Sequence, residues 1–139
     1  MIIRLIKRNN KKHMTINHLN LVVNNVSEAI TFFETYFNFN CELVKGDNVI
    51  AILTNSNNFT LVIMGSKNGD TSYPRDFHIG FMLDSTTEVD ALHAKLQNGN
   101  ISVPDVPKKI RNSYAFYFHF DNIFMEVGHY LNQTIESKA

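Results

Sequence analysis

The segments 16–23 (INHLNLVV) and 77–83 (FHIGFML) decide the fold, because the same order of elements follows each of them. Both are rich in branched or aromatic residues, which is typical of strands that are at least half buried. A helix-start signal comes next in each case. Asn24 and Asn25 precede apolar residues at helical spacing, and Ser85 and Glu88 form a capping box. The sequence therefore predicts a strand followed by a helix, twice, with the first helix over 27–37.

Three more strands are predicted after each helix, since short apolar segments alternate there with turn-forming residues. They cover 41–45, 49–53 and 59–64 in the first half, and 101–103, 114–120 and 123–127 in the second. Pro104, Pro107 and the basic segment 108–111 are assigned to a loop that follows 101–103. The prediction is an α+β fold in which two βαβββ modules form a curved, mostly antiparallel sheet around a cavity.

Length and composition place this repeat in one domain. The chain has 139 residues, of which 44% are hydrophobic and 12% aromatic, enough for one core. We predict an N-terminal extension over 1–14 and a single domain over 15–139, with repeats at about 15–66 and 77–130. Because Met14 leads directly into the first strand, residues 1–13 are either a mobile basic tail or foreign to the native protein.

Charge and hydropathy argue against nucleic acids and membranes as partners, and the cysteine content bears on the cellular compartment. From Met14 onward the chain has eight basic and thirteen acidic residues, which does not provide the basic surface that nucleic acids require. No apolar segment approaches the roughly 20 residues of a membrane span. Cys41 is the single cysteine, so no intramolecular disulfide can form, and a reducing, cytoplasmic location is predicted. The predicted partner is a small molecule.

Three residues have the chemistry and the placement of a metal site. His18 and His78 occupy equivalent positions in the first strands of the two halves, and Glu126 lies in the last strand. Two histidines and one carboxylate on a common face can hold a divalent ion and leave positions open for water or substrate. An unpaired carboxylate between Met125 and Val127 would be costly to bury, which favours a ligand or hydrogen-bonded role for Glu126.

Other polar residues have simpler interpretations. His13, His93 and His129 are predicted to lie at the surface. The basic segment 108–111 is interpreted as a solvated loop or as a rim that would meet an anionic substrate.

Together these segments resemble the glyoxalase/bleomycin-resistance/dioxygenase family, also called the vicinal oxygen chelate superfamily, from residue 15 to about residue 130. The similarity rests on the order and spacing of segments 18–23, 29–33, 37–39, 77–81, 116–118 and 125–127. The resemblance implies a metal site whose ligands fall, by match of motif, on His18, His78 and Glu126. It also implies one divalent ion per chain (Zn, Ni, Mn or Fe) and a homodimer. The family's usual Asp-Pro-Asp-Gly turn before the last strand is replaced by HFDN at 119–122.

The resemblance implies an enzyme whose metal chelates two neighbouring oxygens of its substrate, with Glu126 as the catalytic carboxylate. The reaction stays open among lyase, isomerase, thiol transferase and dioxygenase types. Glyoxalase I proper is disfavoured because its fourth ligand would fall on Val62, and fosfomycin-type thiol transfer because the expected threonine is Asn20. Extradiol dioxygenases usually need a longer chain. The alternative is a metal-free protein of the bleomycin-resistance type that holds a flat hydrophobic compound.

Overall fold

The computed structural model describes residues 13–131 and confirms an α+β fold of two βαβββ modules. The first module contains β1 (His18–Val23), α1 (Val26–Phe37), β2 (Asn40–Lys45), β3 (Ile50–Thr54) and β4 (Thr60–Gly65). The second contains β5 (Ile79–Met82), α2 (Thr86–Asn98), β6 (Lys108–Ile110), β7 (Ser113–Phe120) and β8 (Ile123–Tyr130). Most of the predicted extension over 1–14 lies outside the described residues. No helix within 13–131 is long and apolar enough to cross a membrane.

Both helices begin where the capping signals predicted. The side-chain oxygen of Asn25 accepts the backbone N–H of Glu28 at 2.9 Å, and the Ser85 hydroxyl accepts that of Glu88 at 3.1 Å. The first helix ends at Asn38, whose φ of 57° lies in the left-handed region that asparagine tolerates better than most residues. The local sequence therefore sets where each helix starts.

Each module forms one four-stranded mixed sheet, in the orders β1-β4-β3-β2 and β5-β8-β7-β6. In both sheets the first strand runs parallel to the last strand of its own module, and the other pairs are antiparallel. Asn20 lies opposite Val62 in the first sheet, as Gly80 lies opposite Glu126 in the second. Val62 and Glu126 are therefore equivalent in register, which agrees with the expectation that a fourth ligand of glyoxalase I would fall on Val62.

Each sheet has a covered face, which packs against the helices, and an open face. The covered faces supply core residues such as Leu21 and Ile63 in the first sheet and Phe116 and Met125 in the second, each at most 1% exposed. The open faces carry His18, Asn20 and Val62 in the first sheet and Gly80, Tyr117 and Glu126 in the second. Both covered faces belong to one continuous core. The modules therefore pack back to back, and the open faces look outward.

Helix α1 joins the two modules through its aromatic side chains. Phe32 is 2% exposed, and its ring lies flat on the ring of Phe120 from β7, with 3.8 Å between centroids. Phe37, at the end of the same helix, stacks on Phe81 of β5 at 4.1 Å. The helix of the first module is thus also part of the core of the second.

A polar contact between the modules lies at the start of α1. Asp121, in the two-residue turn between β7 and β8, accepts the backbone N–H and the side-chain amide of Asn24, both at 2.8 Å. The buried Thr71 hydroxyl donates to the side-chain oxygen of Asn24 and accepts from the side-chain amide of Asn122. The turn therefore binds the neighbouring module as well as connecting two strands.

The segment between the modules forms hydrogen bonds with backbone groups on the outer edge of β1. The Tyr73 hydroxyl accepts the backbone N–H of Val22 and donates to the Val22 carbonyl, both at 2.8 Å. Within the described residues, no strand pairs with this edge of β1, so these two backbone groups bond to a side chain instead. Burial raises the pKa of the Tyr73 hydroxyl, so it stays protonated and able to donate at neutral pH.

The strand predicted over 101–103 is wrong. Ile101 donates its backbone N–H to the carbonyl of Leu96 at the end of α2, at 3.0 Å, and Val103 is buried within an irregular segment. The corresponding strand is β6, which lies within the predicted basic loop. The apolar character of 101–103 reflects contact with the core rather than sheet pairing, and short apolar runs do not distinguish the two.

Replacing Phe32 with alanine is expected to lower the free energy of unfolding by about 3–5 kcal/mol, because this side chain fills the core between the modules. Urea denaturation followed by circular dichroism measures the change. Val106→Ala, at a side chain that is 66% exposed, is the control and should change stability by less than about 0.5 kcal/mol. A loss below about 1 kcal/mol for Phe32→Ala would contradict a shared core.

Candidate metal centre

His78 and Glu126 meet on the open face of the second sheet. His78 directly precedes β5, and Glu126 lies in the middle of β8, the strand that pairs with β5. Nε2 of His78 is 3.7 Å from Oε1 of Glu126. The side chains are 40% and 16% exposed, respectively, so a ligand can reach both from solvent. The pair presents a ring nitrogen and a carboxylate oxygen to the same small volume.

Hydrogen bonds orient both side chains. Nδ1 of His78 is 3.0 Å from the backbone carbonyl oxygen of Asp76. A carbonyl oxygen can only accept a hydrogen bond, so Nδ1 is the donor of this pair. In the neutral ring this leaves Nε2 unprotonated and directed toward Glu126. On the other side, the Tyr117 hydroxyl donates to Oε2 of Glu126 at 2.6 Å. Each side chain therefore keeps one donor atom, Nε2 or Oε1, for a further ligand.

Tyr117 keeps its proton over the physiological range. Burial, followed by the hydrogen bond to Glu126, raises the pKa of Tyr117 to about 12, against an opposing effect of the positive charge of Arg111. Sequence reasoning did not single out Tyr117. The sequence did contain a signal for it. A two-residue turn at 121–122 places residue 117 opposite residue 126 in the β7–β8 hairpin, which would have put Tyr117 beside Glu126.

A cavity of about 520 Å³ surrounds the His78–Glu126 pair. The other lining residues come from the segment before β5, the β6–β7 hairpin and β8: Asp76, Ile110, Arg111, Ser113, Tyr117 and Phe124. Arg111 occupies the β6–β7 turn with a φ of 56°, a left-handed conformation that is uncommon for a residue with a long side chain. Its charge at the cavity favours groups that carry negative charge.

His18 lies apart from this pair. It begins β1 with an exposed side chain on the open face of the first sheet. Within residues 13–131, no group of three or more His, Cys, Asp or Glu side chains is close enough to hold a metal ion. Because the two open faces look away from the shared core, His18 does not join His78 and Glu126 of the same chain.

Val62 occupies the place on the first sheet that Glu126 has on the second. It lies opposite Asn20 and is 8% exposed. Its side chain has no donor or acceptor atom, so it can act neither as a metal ligand nor as a base. The two open faces are therefore equivalent in backbone register but different in chemistry.

The other histidines have different surroundings. The predicted surface position of His93 is wrong: it is 8% exposed, contacts Phe116 edge-on, and has Nε2 2.9 Å from the carbonyl oxygen of Asp105. It connects α2 to the segment before β6. His119 is exposed on the second open face and stacks on Phe124, with 4.9 Å between ring centroids. Phe124 thus lies between His119 and His78, whose ring it contacts edge-on.

Comparisons with known proteins agree with this architecture. A family model described as the Glyoxalase/Bleomycin resistance protein/Dioxygenase superfamily matches residues 15–133. The comparison with curated proteins gave no match. The structure of a possible glyoxalase from Bacillus cereus is 34% identical with a TM-score of 0.73, and the match covers 83% of this chain and 98% of that one.

Two structures of the fosfomycin resistance protein FosX from Listeria monocytogenes share the fold. The first is 17% identical with a TM-score of 0.69, over 92% of this chain and 100% of that one. The second is a FosX mutant complexed with Mn(II) and 1S,2S-dihydroxypropylphosphonic acid; it is 23% identical with a TM-score of 0.67, over 91% and 98% of the chains. Since the family model spans both βαβββ modules, the chain belongs to the Glyoxalase/Bleomycin resistance protein/Dioxygenase superfamily.

Proposed function

We propose that this chain is one subunit of a homodimeric, metal-dependent enzyme that binds two neighbouring oxygens of a small-molecule substrate. The observation that carries the proposal is the His78–Glu126 pair, whose free donor atoms lie 3.7 Å apart in a cavity of about 520 Å³. We propose that the third ligand is His18 of the partner subunit.

The donor atoms fit a divalent ion of the first transition row. Neutral imidazole nitrogen and carboxylate oxygen are ligands for Zn, Ni, Mn and Fe. The carbonyl of Asp76 on His78 and the hydroxyl of Tyr117 on Glu126 are contacts of the kind that orient metal ligands. The Mn(II) bound by the FosX mutant supports the use of such an ion in this fold.

The back-to-back packing of the modules supports a site formed between two chains. One chain offers His78 and Glu126 on one open face and His18 on the other. A two-fold dimer that places the first open face of one chain against the second open face of its partner would complete two identical sites. The first open face also carries apolar side chains, including Leu43, which is 40% exposed, and the partly buried Ile52. Such a surface is suited to burial by a partner.

The roles of the residues follow from their positions. The bound metal would act as a Lewis acid toward the two substrate oxygens and stabilise negative charge that develops on them. Glu126 is proposed as both ligand and catalytic carboxylate, and Tyr117 as the positioning residue that fixes its orientation. Arg111 would attract a substrate that carries a negative group. Ile110 and Phe124 would contact its apolar part.

Three further assignments are proposed from the sequence. Residues 15–139 form a single domain, to which 1–14 are an extension. The single Cys41 favours a reducing compartment, and we propose a cytoplasmic location. The excess of acidic residues after Met14 favours a small-molecule partner over a nucleic acid.

His78→Ala is expected to abolish stoichiometric metal binding, because the ion loses one of the two ligands that a single chain brings together. Elemental analysis of protein purified without a histidine tag should find about one Zn, Ni, Mn or Fe per wild-type chain. His119→Ala is the matched control, since His119 lies on the same open face on the far side of Phe124, and this variant should keep its metal.

Unchanged metal content in His78→Ala would contradict the site. A wild-type protein that holds none of these metals after they are added back would favour the alternative function. In that case the cavity, with Phe124 and Ile110 in its wall, would bind a flat hydrophobic compound without a metal.

Subunit mixing tests whether His18 acts in the partner's site. His18→Ala and Glu126→Ala should each lose metal binding, but a dimer containing one chain of each variant keeps one complete ligand set. Random pairing on co-expression should therefore restore about a quarter of the wild-type metal content. No recovery in samples that contain mixed dimers would contradict a site shared between the two subunits. A mass of 16.0 kDa by light scattering would contradict the dimer itself.

Glyoxalase I activity is expected to be weak. The proposed dimer places the first open face of one chain against the second open face of its partner, and the first open face carries Val62 where the resemblance implies a carboxylate. With Ni or Zn supplied, the wild type should convert methylglyoxal and glutathione barely above background in a spectrophotometric assay. Val62→Glu should raise this rate about tenfold or more. Val62→Gln should not, because glutamine has the size of glutamate but no carboxylate to act as a base. Brisk wild-type activity would show that another residue serves as the base.

A further inference from the structure

A second cavity, of about 230 Å³, lies on the covered side of the two sheets, where β1 and β5 approach each other. It shares no lining residue with the cavity around His78 and Glu126. Phe33, Phe39 and Leu61, each at most 5% exposed, lie among its most buried wall residues. Leu19 and Phe81, which are partly exposed, belong to its rim. The cavity is thus a pocket with a buried floor and partly exposed walls, open to solvent.

The lining of this cavity is almost entirely apolar. Seven of the nine lining residues have hydrocarbon side chains, and Gly80 has no side chain. Asn55 is the polar one, and its side-chain oxygen already accepts the backbone N–H groups of Asn57 and Phe59, at 3.0 and 3.1 Å. None of the lining residues in the described part of the chain carries a charged side chain. A charged ligand would therefore lose its hydration without gaining a partner, whereas an apolar ligand would not.

The arrangement of the strands explains why a cavity is present. β1 and β5 are edge strands of different sheets, so no ladder of hydrogen bonds sets the distance between them. The pocket that remains has a volume of about 230 Å³ and is open to solvent. An enclosed apolar cavity of about 150 Å³ is large enough to take up benzene, so this pocket has room for a single ring. Atoms that line an empty space lose dispersion contacts, and a ligand of matching shape restores them.

We propose that this cavity is a binding site for an uncharged apolar small molecule the size of a single aromatic ring with short substituents. The site is separate from the proposed metal centre and does not depend on it. Two of its wall residues are nevertheless sequence neighbours of proposed metal ligands, since Leu19 follows His18 and Ile79 follows His78.

Toluene and benzylammonium, two probes of similar shape that differ in charge, test the proposal on the full-length protein. Toluene at ten times its dissociation constant should raise Tm by about 3 °C or more, and benzylammonium should leave Tm unchanged. Leu19→Trp, which adds an indole at the rim, should abolish the toluene shift. Val106→Trp, which adds an indole at a side chain that is 66% exposed and lines neither cavity, is the control and should keep it.

Intermolecular NOEs provide a second measurement that needs no variant. Contacts from the toluene methyl group to the methyl groups of Ile79 are expected, since Ile79 lines this cavity. The proposal is overturned if NOEs reach only Phe124 on the open face, or if toluene produces no shift in the wild type. Equal shifts in the wild type and in Leu19→Trp, or equal shifts with toluene and benzylammonium, would also overturn it.

Discussion

The contact of Phe32 with Phe120 determines how the whole chain is arranged. By placing a helix of the first module against a strand of the second, it turns the covered faces of both sheets toward one core. Once that core is formed, both open faces must look outward, and residues that are equivalent in the repeat are kept apart within one chain. The proposed division of the metal ligands between two subunits is a consequence of this packing.

Much of the fold was predictable because it depends on local signals. Apolar periodicity and capping residues placed α1 within one residue of its observed start, and the strand segments around His18, Val62 and Glu126 were in register. The strand predicted over 101–103 was wrong because a buried loop and a strand have the same short apolar pattern. The predicted surface position of His93 was wrong because a polar side chain on a helix can still face inward when it hydrogen-bonds to a backbone carbonyl, here that of Asp105.

The candidate site was predictable only in part, for a geometric reason. The repeat placed His18 and His78 at equivalent positions, but equivalence within a duplicated sequence does not imply proximity in space. Proximity depends on which faces of the modules pack together, and that is decided by side chains such as Phe32 that look like ordinary core residues in the sequence. Tyr117 was missed as a component of the site because its position opposite Glu126 arises from the β7–β8 hairpin. Arg111 was considered only as part of a basic segment, as a solvated loop or as a rim for an anionic substrate, because the β6–β7 hairpin that brings it to the cavity was not predicted.

The Tyr73 hydroxyl has an effect on assembly that goes beyond its two hydrogen bonds. Edge strands expose unpaired amide groups that can recruit a strand from any neighbouring chain, and this is a common route to uncontrolled association. By occupying both groups of Val22, the fifth of the six residues of β1, Tyr73 removes part of that template near the C-terminal end of the strand. A neighbouring strand could pair with this end of β1 only by displacing Tyr73, so the proposed contact between copies of this chain would use the faces of the sheets, where shape and side-chain chemistry can select the partner.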